Sequence, residues 1–441
     1  MSRALRDLLK YPSAAAGMAI IALLVFMSIY AVVTIPYNEA IRLWRGGEAL
    51  WADNPRNASP VWVNLLPGRD LPRTIVVPSN QAVRTERPVG GGVREFTIAL
   101  GFDYPYRKFP QELALFIESE YTDRAPQLAL LWRSPDGAEI RLTEFTPRRR
   151  EVYRISADTR LAQDLGGRPE AVLLSDPNVP EQALRGRHQL LLRGFFFDDQ
   201  SRLESRLVVY GGVHGLAGTD HQRRDLMIPL LWGAPIAMAF GLLSAVGSTL
   251  SSLTIAAIGV WYGRWVDGLI QRITEVNLIL PALPILIMIG TLYSRSIWVI
   301  LGVVILLGIF GAGIKTFRAL FLQVKEAPYI EAARAYGASN LRAIFQYMIP
   351  RAVPVLVPQF VTFIPAFVFL EASLAVLGLG DPVLPTWGKV IEDAHSRGAL
   401  FTGHYYWVLE PAALLMLSGL GFTMLGFALD RVFNPRLREV S

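Results

Sequence analysis

Long apolar runs set the terms for this chain. Six stretches, roughly 14–36, 234–260, 274–293, 296–317, 351–377 and 406–429, approach or exceed the length of a membrane span. A helix needs about 20 apolar residues to cross about 30 Å of hydrocarbon, and helices satisfy their own backbone inside lipid. The expectation is an α-helical polytopic membrane protein with six transmembrane helices. The first run exceeds 20 residues and ends in Ile35-Pro36-Tyr37. A cleaved signal peptide has a shorter apolar core, so the run reads as a retained span. The link Tyr293-Ser294-Arg295-Ser296 predicts a tight hairpin between spans three and four.

Between the first two runs, residues 37–222 read like a soluble protein. Segments rich in branched or aromatic residues fall at 73–77, 94–101, 112–118, 127–132, 139–143, 151–155, 188–197 and 202–210. Turn signals such as Ser134-Pro135-Asp136-Gly137 and Ser175-Asp176-Pro177-Asn178 separate them. That rhythm predicts an antiparallel, sandwich-like β domain inserted between helices 1 and 2. Asp198-Asp199 and Arg148-Arg149-Arg150 read as solvated surface charge. The domain division is therefore 1–36, 37–222, 223–430 with a loop at 326–350, and a tail at 431–441.

Charge gives the orientation. Arg3, Arg6 and Lys10 precede span one; Arg264 and Arg272 lie between spans two and three. Lys315, Arg318, Lys325, Arg334, Arg342 and Arg351 surround the fourth connection, and Arg431, Arg436 and Arg438 close the chain. With an even number of spans these fall on one side, which the positive-inside bias makes the cytoplasm. Both termini are then cytoplasmic, residues 37–222 are extracytoplasmic, and the net charge of +6 needs no nucleic acid to explain it. The chain has no cysteine, which excludes disulfides, cysteine metal sites and thiol nucleophiles.

Several motifs point away from catalysis. Gly308-Ile309-Phe310-Gly311-Ala312-Gly313-Ile314-Lys315-Thr316 mimics a phosphate-binding loop, but Ile314 separates Gly313 from Lys315 and the stretch ends an apolar span without a preceding strand. None of the five histidines forms a metal-binding pair at helical spacing. In span two, Ala237, Gly241 and Ala245 recur every fourth residue, as do Ser244, Ser248, Ser252 and Ala256. Such spacing lets helices approach closely in lipid and places this span at a bundle centre. Glu275, Asn277 and Glu371 lie in or beside spans three and five. Charge in hydrocarbon is costly, so they are candidates to line a path, although Arg272 stands three residues before Glu275, where the pair meets on one helix face. Pro281 and Pro284 predict a kink in span three.

The segment between spans four and five has the shape of a lever. Ala327-Pro328-Tyr329 opens a helix presenting Ile330, Ala333 and Tyr336 at i, i+3, i+6. Gly337 permits a left-handed stop. Ser339 or Asn340 caps a second helix running to Ile349, and Pro350 opens span five.

Glu331-Ala332-Ala333 with Gly337 six residues after the glutamate, followed by a helix ending Ile349-Pro350, resembles the coupling loop of permease subunits in binding-protein-dependent ABC importers. Gly218-Thr219-Asp220-His221-Gln222-Arg223-Arg224-Asp225 is similar to a segment of the dipeptide/oligopeptide permease group. So are Leu370-Glu371-Ala372-Ser373-Leu374 with Leu377-Gly378-Leu379-Gly380, Pro385-Thr386-Trp387-Gly388, and Asn434-Pro435-Arg436-Leu437-Arg438. The resemblance covers 214–441 throughout and 1–36 loosely. Tyr347 stands where histidine is frequent, Gln346 where a basic residue is frequent, and Arg223 replaces a usual glycine. The 37–222 insertion is larger than the group's outer loop.

The resemblance implies a permease subunit in the bacterial inner membrane forming half of a translocation path for peptides. Its implied partners are a second homologous permease, two cytoplasmic ATPases, an extracytoplasmic solute-binding protein and the lipid bilayer. It implies no cofactor bound by this chain, ATP and Mg being used by the ATPases. Tyr329, Ile330, Glu331, Ala332, Ala333, Tyr336 and Gly337 would carry the ATPase contact. Relatives moving oligosaccharides or nickel complexes leave those cargoes open. A secondary transporter would call for repeated halves and a membrane-anchored sensor for an output domain; the sequence displays neither.

Overall fold

The computed structural model describes residues 11–433 apart from residue 123. The basic start through Lys10 and the 434–438 motif lie outside the described residues. The described residues divide into a helical unit, 11–45 with 228–433, and a β unit, 46–227.

Helix α1 (Pro12–Thr34) begins with proline in its first turn and stops where Ile35, preceding Pro36, turns extended. It crosses the last helix through glycines: a Cβ on Gly17 would lie 2.8 Å from the Gly421 carbonyl. Helix α2 (Tyr37–Arg45) is amphipathic; Ala40 packs with Ala31 and Trp232 while Glu39 and Arg42 pair on its outer side. This packing moves the unit boundary to 45/46, against the expected 36/37.

The β unit holds two antiparallel sheets. One has the order β1 (Ile75–Pro78), β11 (Arg202–Tyr210), β4 (Glu112–Glu120), β7 (Arg150–Arg154). The other runs β2 (Val83–Gly90), β3 (Val93–Tyr104), β10 (Gly186–Phe196), β5 (Gln127–Arg133), β6 (Glu139–Phe145). Alternation aims Phe96, Ile98, Leu100, Leu128, Leu130, Trp132, Leu113 and Leu115 into one shared core. Helices α3 (Thr159–Leu165) and α4 (Pro169–Leu174) close one side through Leu161, Leu173 and Leu174, followed by the small hairpin β8 (Ser175–Asp176) and β9 (Val179–Ala183). His188 is buried among Phe102, Tyr104 and Trp132, its Nε2 2.9 Å from the Leu184 carbonyl. Asp198 takes amides of Thr122 and Gln200 in a turn.

The helical unit resumes with α5 (Met227–Tyr262), which begins earlier than the expected 234. At 36 residues it spans about 54 Å. Both small-residue rows are buried: a Cβ on Gly241 would lie 2.7 Å from Val368, and one on Gly308 2.6 Å from Ser248. The rows do set α5 against two neighbours. Next come α6 (Arg264–Ile279) and α7 (Ala282–Leu292), bent by 76°, then α8 (Ile297–Ile309) and α9 (Ala312–Lys325), bent by 40°. The first break is at Leu280-Pro281; Pro284 sits in the first turn of α7 and adds no second kink. The short helix α10 (Pro328–Ala335) leads to α11 (Asn340–Leu379), α12 (Trp387–Ser396) and α13 (Tyr406–Phe433). Among the described residues, four helices are long and apolar enough to cross a membrane, or six if each bent pair is one span.

Candidate functional site

The α10 elbow is fixed from three sides. Lys325 Nζ donates to the carbonyls of Val260 (2.8 Å) and Trp261 (3.2 Å), capping α5 with the end of α9. Arg318 grips Asp267 of α6 through two nitrogens at 2.6–3.0 Å. Ile330 is buried against Ala257, Phe321, Ile344 and Met348, and Ala333 is buried on the same side of α10. The Arg351 guanidinium lies 5.0 Å over Tyr329, and that of Arg334 lies 5.6 Å over Trp261.

Glu331 and Ala332 face outward, and Tyr336 is 93% exposed. Ile330, Ala333 and Tyr336 therefore do not form one strip. The helix ends at Ala335, so Tyr336 leaves the face that Ile330 and Ala333 bury. Gly337 has φ +82° with open space where a Cβ would sit; its amide reaches Arg334 O and the Ala338 amide reaches Ala333 O. This is a helix stop that favours glycine on backbone grounds alone. Ser339 caps the next helical turn, its hydroxyl accepting from the Arg342 amide at 3.4 Å. The expected separate helix to Ile349 is instead the start of α11, continuous through a π turn at Ala343–Met348. A second π turn, Ala375–Leu379, closes α11.

The broken spans meet through side-chain donors. Asn277 Nδ2 donates to the carbonyls of Leu307 (2.9 Å) and Phe310 (3.1 Å), and Ser252 Oγ donates to that of Ile309 at 2.7 Å. Carbonyls freed at the end of α8 are thus satisfied, as irregular backbone inside a membrane protein requires. A cavity of about 190 Å³ adjoins this break, lined in part by Ser248, Thr249, Ser252, Gly311 and Phe363. The sequence marks Ser252 only as a packing residue of its small-residue row, and Thr249 lies one turn beyond Ala245, the last residue of the other row, and gives no signal. Glu275 pairs with Arg272 at 3.6 Å on an exposed helix face. Glu371 is buried elsewhere, its carboxylate accepting from the Thr386 hydroxyl. Nearby Asp381 accepts from the Ile297 amide at 2.9 Å and so caps α8. The three path candidates do not converge on one point.

The Gly218–Asp225 motif folds within the β unit. Thr219 Oγ1 donates to Pro55 O at 2.7 Å and accepts from the Ala58 amide at 3.0 Å. Asp220 accepts from Arg224 Nε at 2.5 Å and from two turn amides. Arg223 has φ +66°, which explains why glycine suits the position. Its buried guanidinium bonds Asn54 O (2.7 Å) and Glu112 Oε2 (2.5 Å) and lies 4.1 Å over the Tyr210 ring. Burial pushes the Tyr210 phenol up to about 12.

Apolar helices interrupted at mid-length, packed through small residues and joined by an exposed elbow, are the make-up of a helical bundle suited to a membrane. Residues 248–439, whose described part lies in the helical unit, match the family described as binding-protein-dependent transport system inner membrane component. The dipeptide transport system permease protein DppC of Alkalihalophilus pseudofirmus is 30% identical over 227 residues, 50% of this chain and 72% of that protein. A putative peptide transport system permease protein of Brucella suis is 33% identical over 235 residues, 52% and 75% of the two chains. DppC of Bacillus subtilis is 28% identical over 223 residues, 50% and 69%. The chain belongs to the family of binding-protein-dependent transport system inner membrane components. It is a permease subunit of an ABC importer, a transport component that works with ATPase and binding-protein partners.

Proposed function

We propose that this permease carries peptides, with six spans, both termini in the cytoplasm and the β unit outside. The α6–α7 and α8–α9 pairs then count as single bent spans. Its complex would hold a second homologous permease, two cytoplasmic ATPases that use ATP and Mg, and a solute-binding protein; this chain would bind no cofactor itself. The peptide cargo is supported by the relatives' names.

The coupling role rests on one observation: α10 buries Ile330 and Ala333 against its own helices while Glu331, Ala332 and Tyr336 face outward. Tyr329 and Gly337 set the start and stop of that element. Nucleotide-driven closure of the ATPases would move α10 and, through the continuous backbone from Asn340 onward, α11. Turning a 1:99 preference into 99:1 takes about 5.5 kcal/mol, which a packed helix can transmit and a loose loop cannot. The test is crosslinking from Glu331→Cys, a clean site in a cysteine-free chain, in the assembled transporter. Adducts should run to an ATPase subunit and change in yield with nucleotide. Adducts confined to lipid or to the second permease would remove the assignment.

A further inference from the structure

An apolar cavity of about 200 Å³ lies where several helix ends meet. Tyr37 opens α2 just after α1 stops, Trp232 sits near the start of α5, and Ile297 opens α8. Phe240, Ile297, Leu301 and Leu384 are buried in the cavity wall, while Tyr37 and Trp298 are exposed at its rim. The Trp232 indole N–H is already used on the Ile35 carbonyl at 3.2 Å. That leaves the Tyr37 hydroxyl and the Trp298 indole as the free polar side-chain groups of the lining. A water in such a space needs about two to four polar partners, and apolar cavities of this size stay dry and take apolar guests. The fitting guest is a hydrocarbon chain.

The cavity stands at the level of a bilayer surface. Counting from 232 to 261, Trp261 follows Trp232 by 29 residues of α5, about 44 Å along the helix. A bilayer with its headgroups is about 40–45 Å thick. Trp and Tyr gather at both of its surfaces, so Tyr37, Trp232 and Trp298 mark one and Trp261 with Tyr262 the other. Phe240 lies eight residues beyond Trp232, about 12 Å further along α5. The cavity therefore runs from the headgroups into the hydrocarbon. A cation accompanies it: Arg295, two residues before Ile297, is exposed and has no ion-pair partner among the described residues. Glu371 and Asp381 line a small cleft with Arg295, but Glu371 is engaged by the Thr386 hydroxyl and Asp381 by the Ile297 amide. The Arg295 guanidinium is left to meet a phosphate, which its fork of donors suits.

We propose that this cavity between α2, α5 and α8 binds one bilayer phospholipid, the upper part of an acyl chain filling it and the phosphate meeting Arg295. Such a site needs a membrane around the helices and nothing more; it is independent of cargo and of orientation.

The test uses the assembled transporter, purified in detergent holding a trace of phosphatidylglycerol with a diazirine midway along one acyl chain. Irradiation should place adducts on Ile236, Phe240 and Leu301 at least about tenfold above those on Phe26 and Phe427, which are exposed on α1 and α13; tenfold is less than the worth of two buried methylenes. Unlabelled phosphatidylglycerol should compete the cavity adducts away. Ala239→Phe fills the space and should cut them at least about tenfold. Competition on the wild-type protein decides the matter even where that variant fails to assemble. Arg295→Gln should cut them about threefold, as suits an exposed charge pair, and should leave labelling by a diazirine fatty alcohol, which has no phosphate, unchanged. Adducts spread evenly over exposed helix faces, adducts that survive competition, or full yield in an assembled phenylalanine variant would overturn the site. No response to Arg295→Gln would remove the phosphate contact and with it the phospholipid. Protection from every lipid probe would give the cavity to the second permease, and labelling by a photoreactive tripeptide in place of lipid would give it to cargo; either result ends the proposal.

Discussion

Arg223 shows how a single side chain can hold a backbone angle that glycine would take freely. Left-handed conformation costs a non-glycine residue roughly 1–2 kcal/mol. Here an ion pair from the buried Arg223 guanidinium to half-buried Glu112, a bond to Asn54 O and a ring contact with Tyr210 offset it. Arg223→Ala keeps the strain and strands Glu112, and should lower the local stability of residues 211–226 by about 3 kcal/mol. Arg223→Gly should recover about 1 kcal/mol of that by relieving the angle. Amide hydrogen exchange across the segment reads both values; equal losses would show that the angle carries no strain. His188 makes a second prediction. Burial holds its imidazole below the ordinary 6.5, so the folded β unit binds that proton less well than the unfolded chain. Stability is present above 6.5 and drains as pH falls below it, by at most about 1.4 kcal/mol per unit. The urea midpoint of the β-sheet transition should drop between about pH 7 and about pH 5, and His188→Phe should flatten that drop. An unchanged slope in the variant would place the titration elsewhere.

At the scale of the element, the stop at Gly337 is the point to press. Open space surrounds it, so Gly337→Val meets no clash, only a forbidden angle. The variant should assemble with its partners yet lose most uptake while ATP hydrolysis continues; Gly337→Asn, which tolerates the angle, should retain transport. Parallel hydrolysis and uptake assays in vesicles decide it, and full uptake by the valine variant would detach α10 from coupling. Legibility also varied by element. The alternating strands β3, β4, β5 and β11 were visible because one face is apolar. Strand β2 was not: all eight of its residues are exposed, and Arg84, Glu86, Arg87 and Pro88 give it no inward face. The Gly337 stop and the Ser339 cap were local chemistry and could be read; the π turns and the α8–α9 cavity depend on helices packing from far apart in sequence. The glycine-rich stretch at 308–316 breaks a span between α8 and α9, a use that could not be inferred from spacing.

For the whole molecule, the β unit has what an independent fold needs: a core contributed by its own strands and 182 residues, counting 46 to 227 inclusive. Residues 46–227 expressed alone should give a soluble protein with a β-type circular dichroism spectrum and one cooperative melt; a molten or aggregating product would mean that the helices help to fold it. The stem makes this expectation specific. The Asn57 amide bonds Asp220 O, the Ala58 amide bonds Thr219 Oγ1, and Ser59 pairs with Val213, so the in-going and out-going chains are stitched together. A module whose beginning and finish share one doorway asks little of its host beyond two neighbouring attachment points. Recombination could add or remove such a cassette in one stroke without redrawing the membrane scaffold.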